Sequence, residues 1–142
     1  MIVYLASPYS SPDGNVRNQR FEAACRVAAE MIRAGHSVLS PIAHSVPICS
    51  HGNLPEDWAF WESVDRDLLS KCDRMVVLAL SGWHESRGVR AEIEIARELS
   101  LPISLAWETS WVDPVRAWED AERLTLLTGR RPAEETPGLC RA

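Results

Sequence analysis

Residues 75–80 read Met-Val-Val-Leu-Ala-Leu, an apolar run with no polar residue in it. A strand with one wet face alternates apolar and polar side chains. A strand that does not alternate is buried on both faces, which is the habit of parallel sheets covered by helices on either side. Shorter runs of the same kind occur in "IVYLASP" at the start of the chain, in "HSVLSP" from His36, and in "LPISLAW" from Leu101. Each is too short to cross a membrane.

Segments of helical period lie between these runs. From Val16 to Ala34, Phe21, Ala24, Cys25, Ala28, Met31 and Ile32 recur at helical spacing, and Gly35 stops the run. Further helices are expected over Glu56–Lys71, over "VRAEIEIARELS" and over Asp113–Thr128, where Val115, Trp118, Ala121, Leu124 and Leu127 are in phase. "IAHSVPICSHGNLPED", with two prolines and two histidines, reads as a long loop of the kind that is functional or mobile. The order β-α-β-α-β-α-β-α predicts an α/β fold. It is a Rossmann-like, doubly wound parallel sheet of four to five strands flanked by helices. One domain is expected over residues 1–128, with a polar tail over 129–142. In such sheets ligands bind at the carboxyl ends of the strands. The loops "SPYSSPDG", "SPIAHSVP" and "SGWHESRG" should therefore converge on one pocket.

Composition narrows the partners. The chain has 142 residues, 46% hydrophobic and 25% charged, with a net charge of -5. That balance argues against nucleic-acid or membrane-surface binding and leaves room for a small anion in a local pocket. Cys25, Cys49, Cys72 and Cys140 form no CxxC pair, which fits reduced thiols. "MIVYLASPY" is too short an apolar run for a signal peptide, so a cytoplasmic location is expected. No HxxH or HExxH spacing occurs and no GxSxG elbow, so neither a metal site nor serine-hydrolase chemistry is expected, and no cofactor is called for.

Two carboxylates stand out. Glu92 falls among Ala91, Ile95 and Ala96 on the inner arc of its helix, whereas Glu94 and Glu98 lie with Arg90 and Arg97 on a solvated face. Asp65 shares an apolar stripe with Trp58, Trp61 and Leu68 or Leu69. A carboxylate turned inward is costly unless it is paired or used. The bland readings are a Glu92 that bends outward and an Asp65 paired with an arginine. Two inward carboxylates meeting at one pocket would instead suit glycosidic chemistry, in which one acts at the anomeric carbon and the other handles the proton. Ser86 and Gly88 open the helix that carries Glu92. They read either as a plain cap or as a turn that offers free N–H groups to a phosphate.

Taken together, "IVYLASPY" with Tyr4, Asp65 eight residues before Asp73 of "KCDRMVVLAL", and Ser-x-Gly-x-x-x-Glu at Ser86, Gly88 and Glu92 resemble the nucleoside 2-deoxyribosyltransferase superfamily. That group includes deoxynucleoside 5'-monophosphate N-glycosidases and cytidylate hydrolases. The likeness runs from Met1 to about Ile103. It is strongest to a branch of small uncharacterised bacterial and phage proteins. The resemblance implies Glu92 as the nucleophile on C1' and Asp65 as its partner near the sugar and leaving base. It implies Tyr4 as the strand-one aromatic beside them, and Ser86 and Gly88 as the holders of the 5' end. Arg87 is the best-placed cation, with Arg17 and Arg20 as alternatives. Ser7, His44, Trp61 and Trp83 join the expected substrate-binding set, the two tryptophans either stacking a base or serving as core.

The expectation is a hydrolase that cleaves the N-glycosidic bond of a nucleoside 5'-monophosphate or (deoxy)nucleoside. Transferase members of the group use a chain-terminal carboxylate from a neighbouring subunit, and "GLCRA" gives no match, so hydrolysis is favoured over base exchange. The alternatives are a deoxyribosyltransferase and a non-catalytic nucleotide-binding or assembly module. The resemblance also implies a homodimer or higher oligomer, with Trp107, Trp111 and Trp118 as candidate contacts.

Overall fold

The computed structural model describes residues 1–108 and 113–117. Four strands form one parallel sheet: β1 (Ile2–Ala6), β2 (Ser37–Leu39), β3 (Arg74–Leu78) and β4 (Ile103–Ala106). Their order across the sheet is β2-β1-β3-β4. Tyr4 stands opposite Leu39 on one side and Met75 on the other, and Val77 stands opposite Leu105. Helix α1 (Gly14–Arg33) joins β1 to β2. Helices α2 (Pro41–Gly52) and α3 (Trp58–Leu69) lie between β2 and β3, and α4 (Arg87–Glu98) leads to β4. The chain moves outward from β1 to β2, then returns to place β3 on β1's other side. The expected Rossmann-like α/β fold is present. Its topological switch lies between β1 and β3, where the loops after these strands part to opposite faces and leave a crevice.

The period of two in the strands divides the core into two layers. Val3, Leu5, Val76 and Leu78 pack against Ala23, Val27 and Met31 of α1. Tyr4, Ala6, Met75 and Val77 face the other way, onto Leu69 of α3 and Val89, Ile95 and Ala96 of α4. All five residues of β3 are buried, as its unalternating sequence requires. Caps define the helix starts. The Asp13 side chain accepts from Asn15 N at 2.8 Å, and the Asp57 side chain from Phe60 N at 3.0 Å.

The segment read as a long loop is a correction, because most of it is helix α2. Ser40 caps it by accepting from Ala43 N at 3.3 Å, and Pro41 occupies the first turn, where its missing N–H costs nothing. Asn53 ends it in the left-handed region at φ 51°. Pro47, which suggested a loop, is carried inside the helix. Only Pro41 of α2 is fully buried, so its hydrophobic period is weak and its turn-forming residues dominate the sequence signal. The helix expected over Asp113–Thr128 is described only in part. Asp113 accepts from Val115 N at 3.0 Å and pairs with His36 Nε2 at 2.9 Å, while the buried Arg74 donates to Val115 O at 3.2 Å. Trp111, Trp118 and the tail lie outside the described residues.

The layered core gives a direct expectation. Leu5→Ala, at a fully buried position beneath α1, should cost about 2–5 kcal/mol in urea unfolding. Ile32→Ala, on the exposed side of α1, should stay within about 0.5 kcal/mol of wild type. Equal losses at the two positions would contradict the layer assignment.

Candidate functional site

Helix α4 buries Val89, Glu92, Ile95 and Ala96, so Glu92 sits on the stripe that faces the sheet. Its residue is 6% exposed. Tyr4, one strand position away from the opposite core layer, turns to the same face and donates its hydroxyl to Glu92 Oε1 at 2.8 Å. Asp65 lies on the inner side of α3, one turn before the fully buried Leu69, and is 7% exposed. Its Oδ1 is shut off from solvent and has no partner among the described residues. The structure therefore brings Glu92, Asp65 and Tyr4 together from three separate elements. Among the described residues Asp65 is not paired with an arginine, and Glu92 does not bend outward.

Burial decides the charge of this group. Removal from water pushes the Glu92 carboxyl up to about 8, the Tyr4 hydrogen bond acts against that rise, and the nearby Asp65 adds to it. Burial pushes Asp65 up to about 6. The Tyr4 hydroxyl is raised by burial first and by the two carboxylates after that, so it stays a donor throughout the working range of the protein. Two carboxyls with separated, elevated titrations in one place are the arrangement that divides acid and base roles.

The carboxyls open onto a cleft of about 810 Å³ at the carboxyl ends of β1 and β3. Ser7, Trp61, Asp65, Ser86, Arg87, Gly88 and Glu92 all line it, with Tyr4 behind Glu92. Ser7 is 5% exposed and its Oγ, like Asp65 Oδ1, has no partner among the described residues. His44 and Trp83, also in the expected set, do not line this cleft. His44 sits on the exposed side of α2. Trp83 borders a smaller neighbouring hollow with Arg90 and Ile93, edge-on to His84. Sequence reasoning missed Ser45 and Cys49, which reach the cleft from α2. Their signal was the spacing of residues 41–42, 45–46 and 49–50, visible once the segment is read as a helix.

One end of the cleft suits an anion. Ser86 caps α4 by accepting from Val89 N at 3.3 Å, and Arg90 N bonds Ser86 O at 3.0 Å. The N–H groups of Arg87 and Gly88 precede the first helical bond and are open to a ligand. A Cβ built on Gly88 would meet nothing within 4 Å, so no neighbour in the fold demands the glycine. The Arg87 guanidinium is exposed and has no ion pair among the described residues. Arg20 is committed elsewhere. It donates to Ser10 O at 2.7 Å and Ser81 O at 3.1 Å, tying the loop after β1 to the loop after β3. Gly82, at φ 81°, fits beneath it, and a Cβ there would lie 3.2 Å from the guanidinium. Among the described residues no group of three His, Cys, Asp or Glu is placed to hold a metal ion, and no helix is long and apolar enough to cross a membrane.

The raised Glu92 carboxyl fixes the sign of a stability test. The folded state holds this proton more tightly than the unfolded chain, so its stabilisation is full below the unfolded value. It is lost as pH rises from about 4.5 to about 8. Glu92→Gln cannot ionise and should flatten that decline, leaving the variant more stable than wild type at pH 8 by on the order of 3 kcal/mol. Asp65 adds a smaller decline between about 3.8 and 6 in both proteins. Parallel stability curves from pH 4 to 9 would show that Glu92 is not buried as described.

The sequence matches no curated protein. It does match one family model, described as "Domain of unknown function (DUF1937)", over residues 1–108. That span ends just past β4 and contains β1 to β4, α1 to α4 and every residue of the cleft named above. On this match, which covers well over half of its length, the chain belongs to the DUF1937 family.

Proposed function

We propose that the protein is a hydrolase that cleaves the N-glycosidic bond of a nucleoside 5'-monophosphate or (deoxy)nucleoside. The observation that carries this reading is the pair of buried carboxyls, Glu92 and Asp65, delivered by two helices to one cleft with Tyr4 holding the first. Bond breaking at an anomeric carbon builds positive charge there, and a fixed carboxylate beside it is the matching group. Glu92 attacks C1' as the bond to the base breaks, giving a glycosyl ester, which water then hydrolyses. The Tyr4 hydrogen bond fixes one carboxylate oxygen and leaves the other for the attack. Asp65, with an unpartnered oxygen, carries the proton that the leaving base needs and afterwards takes one from water. The open N–H groups of Arg87 and Gly88, with the Arg87 side chain, supply the anion site for a 5'-phosphate. The likeness to the nucleoside 2-deoxyribosyltransferase superfamily supports the same roles for the same residues.

The active form of this pair holds a single proton, which at rest lies on Glu92, the more strongly raised carboxyl, and must pass to Asp65 for Glu92 to attack. Burial alone leaves Glu92 largely protonated near neutrality. The positive charge that develops on the sugar is what favours its ionised form.

The direct test incubates the protein with a panel of nucleosides and their 5'-monophosphates, with free base followed chromatographically. Wild type should release base from at least one of them. Glu92→Gln should lower kcat by at least about a thousandfold. Adding a second free base should not yield a new nucleoside, as a transferase would. No base release across the panel, or release by Glu92→Gln at the wild-type rate, rules the reading out. A second expectation concerns pH. With a nucleoside substrate, kcat/KM should be bell-shaped, with arms near pH 6 and 8 that belong to the Glu92–Asp65 pair as a unit. A profile flat from pH 5 to 9 would contradict the shared-proton account.

A further inference from the structure

Three side-chain oxygens that line the cleft are sealed from solvent and unpartnered among the described residues: Ser7 Oγ, Asp65 Oδ1 and Ser45 Oγ. Asp65 has a role in the proposed reaction and Ser7 belongs to the expected substrate-binding set, whereas Ser45 has no role yet. A serine within a helix commonly bonds the carbonyl one turn back, and Ser45 does not. A buried hydroxyl without a partner destabilises the fold that carries it, so the folded chain gains nothing from this one.

The surroundings of Ser45 indicate what would use it. On the same side of α2, Ile42, Val46 and Cys49 line the cleft, and Trp61 lines it from α3. The Trp61 indole N–H is already committed to Pro55 O at 2.7 Å, and Cys49 Sγ reaches the same carbonyl at 3.5 Å. Trp61 thus offers a ligand its ring and no donor. Trp58 joins Trp61 here, Ser50, Glu56 and Asp57 add polar groups, and Ser45 Oγ is the buried hydroxyl of this part that has no partner among the described residues and can both donate and accept. The cations lie elsewhere, Arg87 at the start of α4 and Arg17 and Arg20 on α1, and so do the free N–H groups of α4.

We infer that the α2–α3 part of the cleft receives the flat nitrogen heterocycle of the substrate, and that Ser45 Oγ is its hydrogen-bonding contact. Ser45 is then a base-recognition residue, set apart from the carboxyls that break the bond. This inference rests on the proposed nucleotide substrate and names how its base is held.

Calorimetric binding tests it without turnover. Glu92→Gln and the double variant Glu92→Gln, Ser45→Ala are titrated with the four common deoxynucleoside 5'-monophosphates and with deoxyribose 5-phosphate, which has no base. Thermal melts of both are recorded in parallel. The expected result is about five- to tenfold weaker binding of at least one mononucleotide to the double variant, with deoxyribose 5-phosphate bound equally by both. Its melting temperature should be unchanged or higher, because no internal partner of Ser45 is lost. Equal mononucleotide binding by both proteins overturns the inference and leaves the proposed hydrolysis standing. An equal loss for the base-free sugar phosphate, or a lower melting temperature, also overturns it. If no mononucleotide binds either protein, the inference and the proposed substrate fall together.

Discussion

Glu92 brings an ionisable carboxyl into the interface between the sheet and α4, where every neighbouring position on its helix face is apolar. Such a group is tolerated only when something offsets the loss of water. Here the Tyr4 hydroxyl, 2.8 Å away, supplies one hydrogen bond, and the proton that burial keeps on the carboxyl removes its charge. The rest of the site follows from this. Tyr4 can reach Glu92 because β1 turns its side chain to the face that α3 and α4 cover. Asp65 arrives on that same face from α3, where burial raises its own titration and its charge adds to the rise at Glu92. A fold that needed only stability would fill this volume with apolar side chains.

The position of this pair follows from topology. The switch between β1 and β3 parts the loops that leave these strands, and the cleft forms in the gap. Arg20 bridges the gap by bonding carbonyls on both loops, and Gly82 gives it space. The helix dipole and the free amides of Arg87 and Gly88 supply the polarity an anion requires, and Glu92 follows four residues after Gly88 on the same helix. In the proposed reaction one short helix thus serves two parts of a substrate. The spacing from Ser86 through Gly88 to Glu92 expresses that in sequence.

The parts of this design that repeat along the chain were legible in the sequence. β3 announced itself by its unbroken apolar run. The inward aim of Glu92 and Asp65 was readable from helical phase, because α3 and α4 each have a strong apolar face. The segment from Pro41 to Gly52 was not readable in the same way. It is half-buried, carries Pro47 in its interior and ends at an asparagine in the left-handed region, so its local chemistry is that of a loop while its packing makes it a helix. Ser45 and Cys49 were hidden for that reason, and His44 was assigned to the site although its side of α2 faces solvent. Trp83 follows the second of the two readings its sequence allowed and packs against the core layer of Tyr4, Met75 and Val77. A tryptophan beside Ser86 in sequence reaches a separate hollow once the tight turn over Trp83–Glu85 rotates it away. Phase along a regular element carries over into space, whereas neighbourhood within a turn does not.

The central claim is that Glu92 forms a bond to the sugar, and intact-protein mass spectrometry with a 2'-fluoro-substituted nucleoside or nucleotide substrate measures that bond. The electron-withdrawing fluorine slows breakdown of a glycosyl ester and lets it accumulate. The account predicts a mass increase equal to the fluorinated sugar unit, carried by the peptide that contains Glu92 and absent in Glu92→Gln. Base release with no adduct, or an adduct on any other residue, would contradict it.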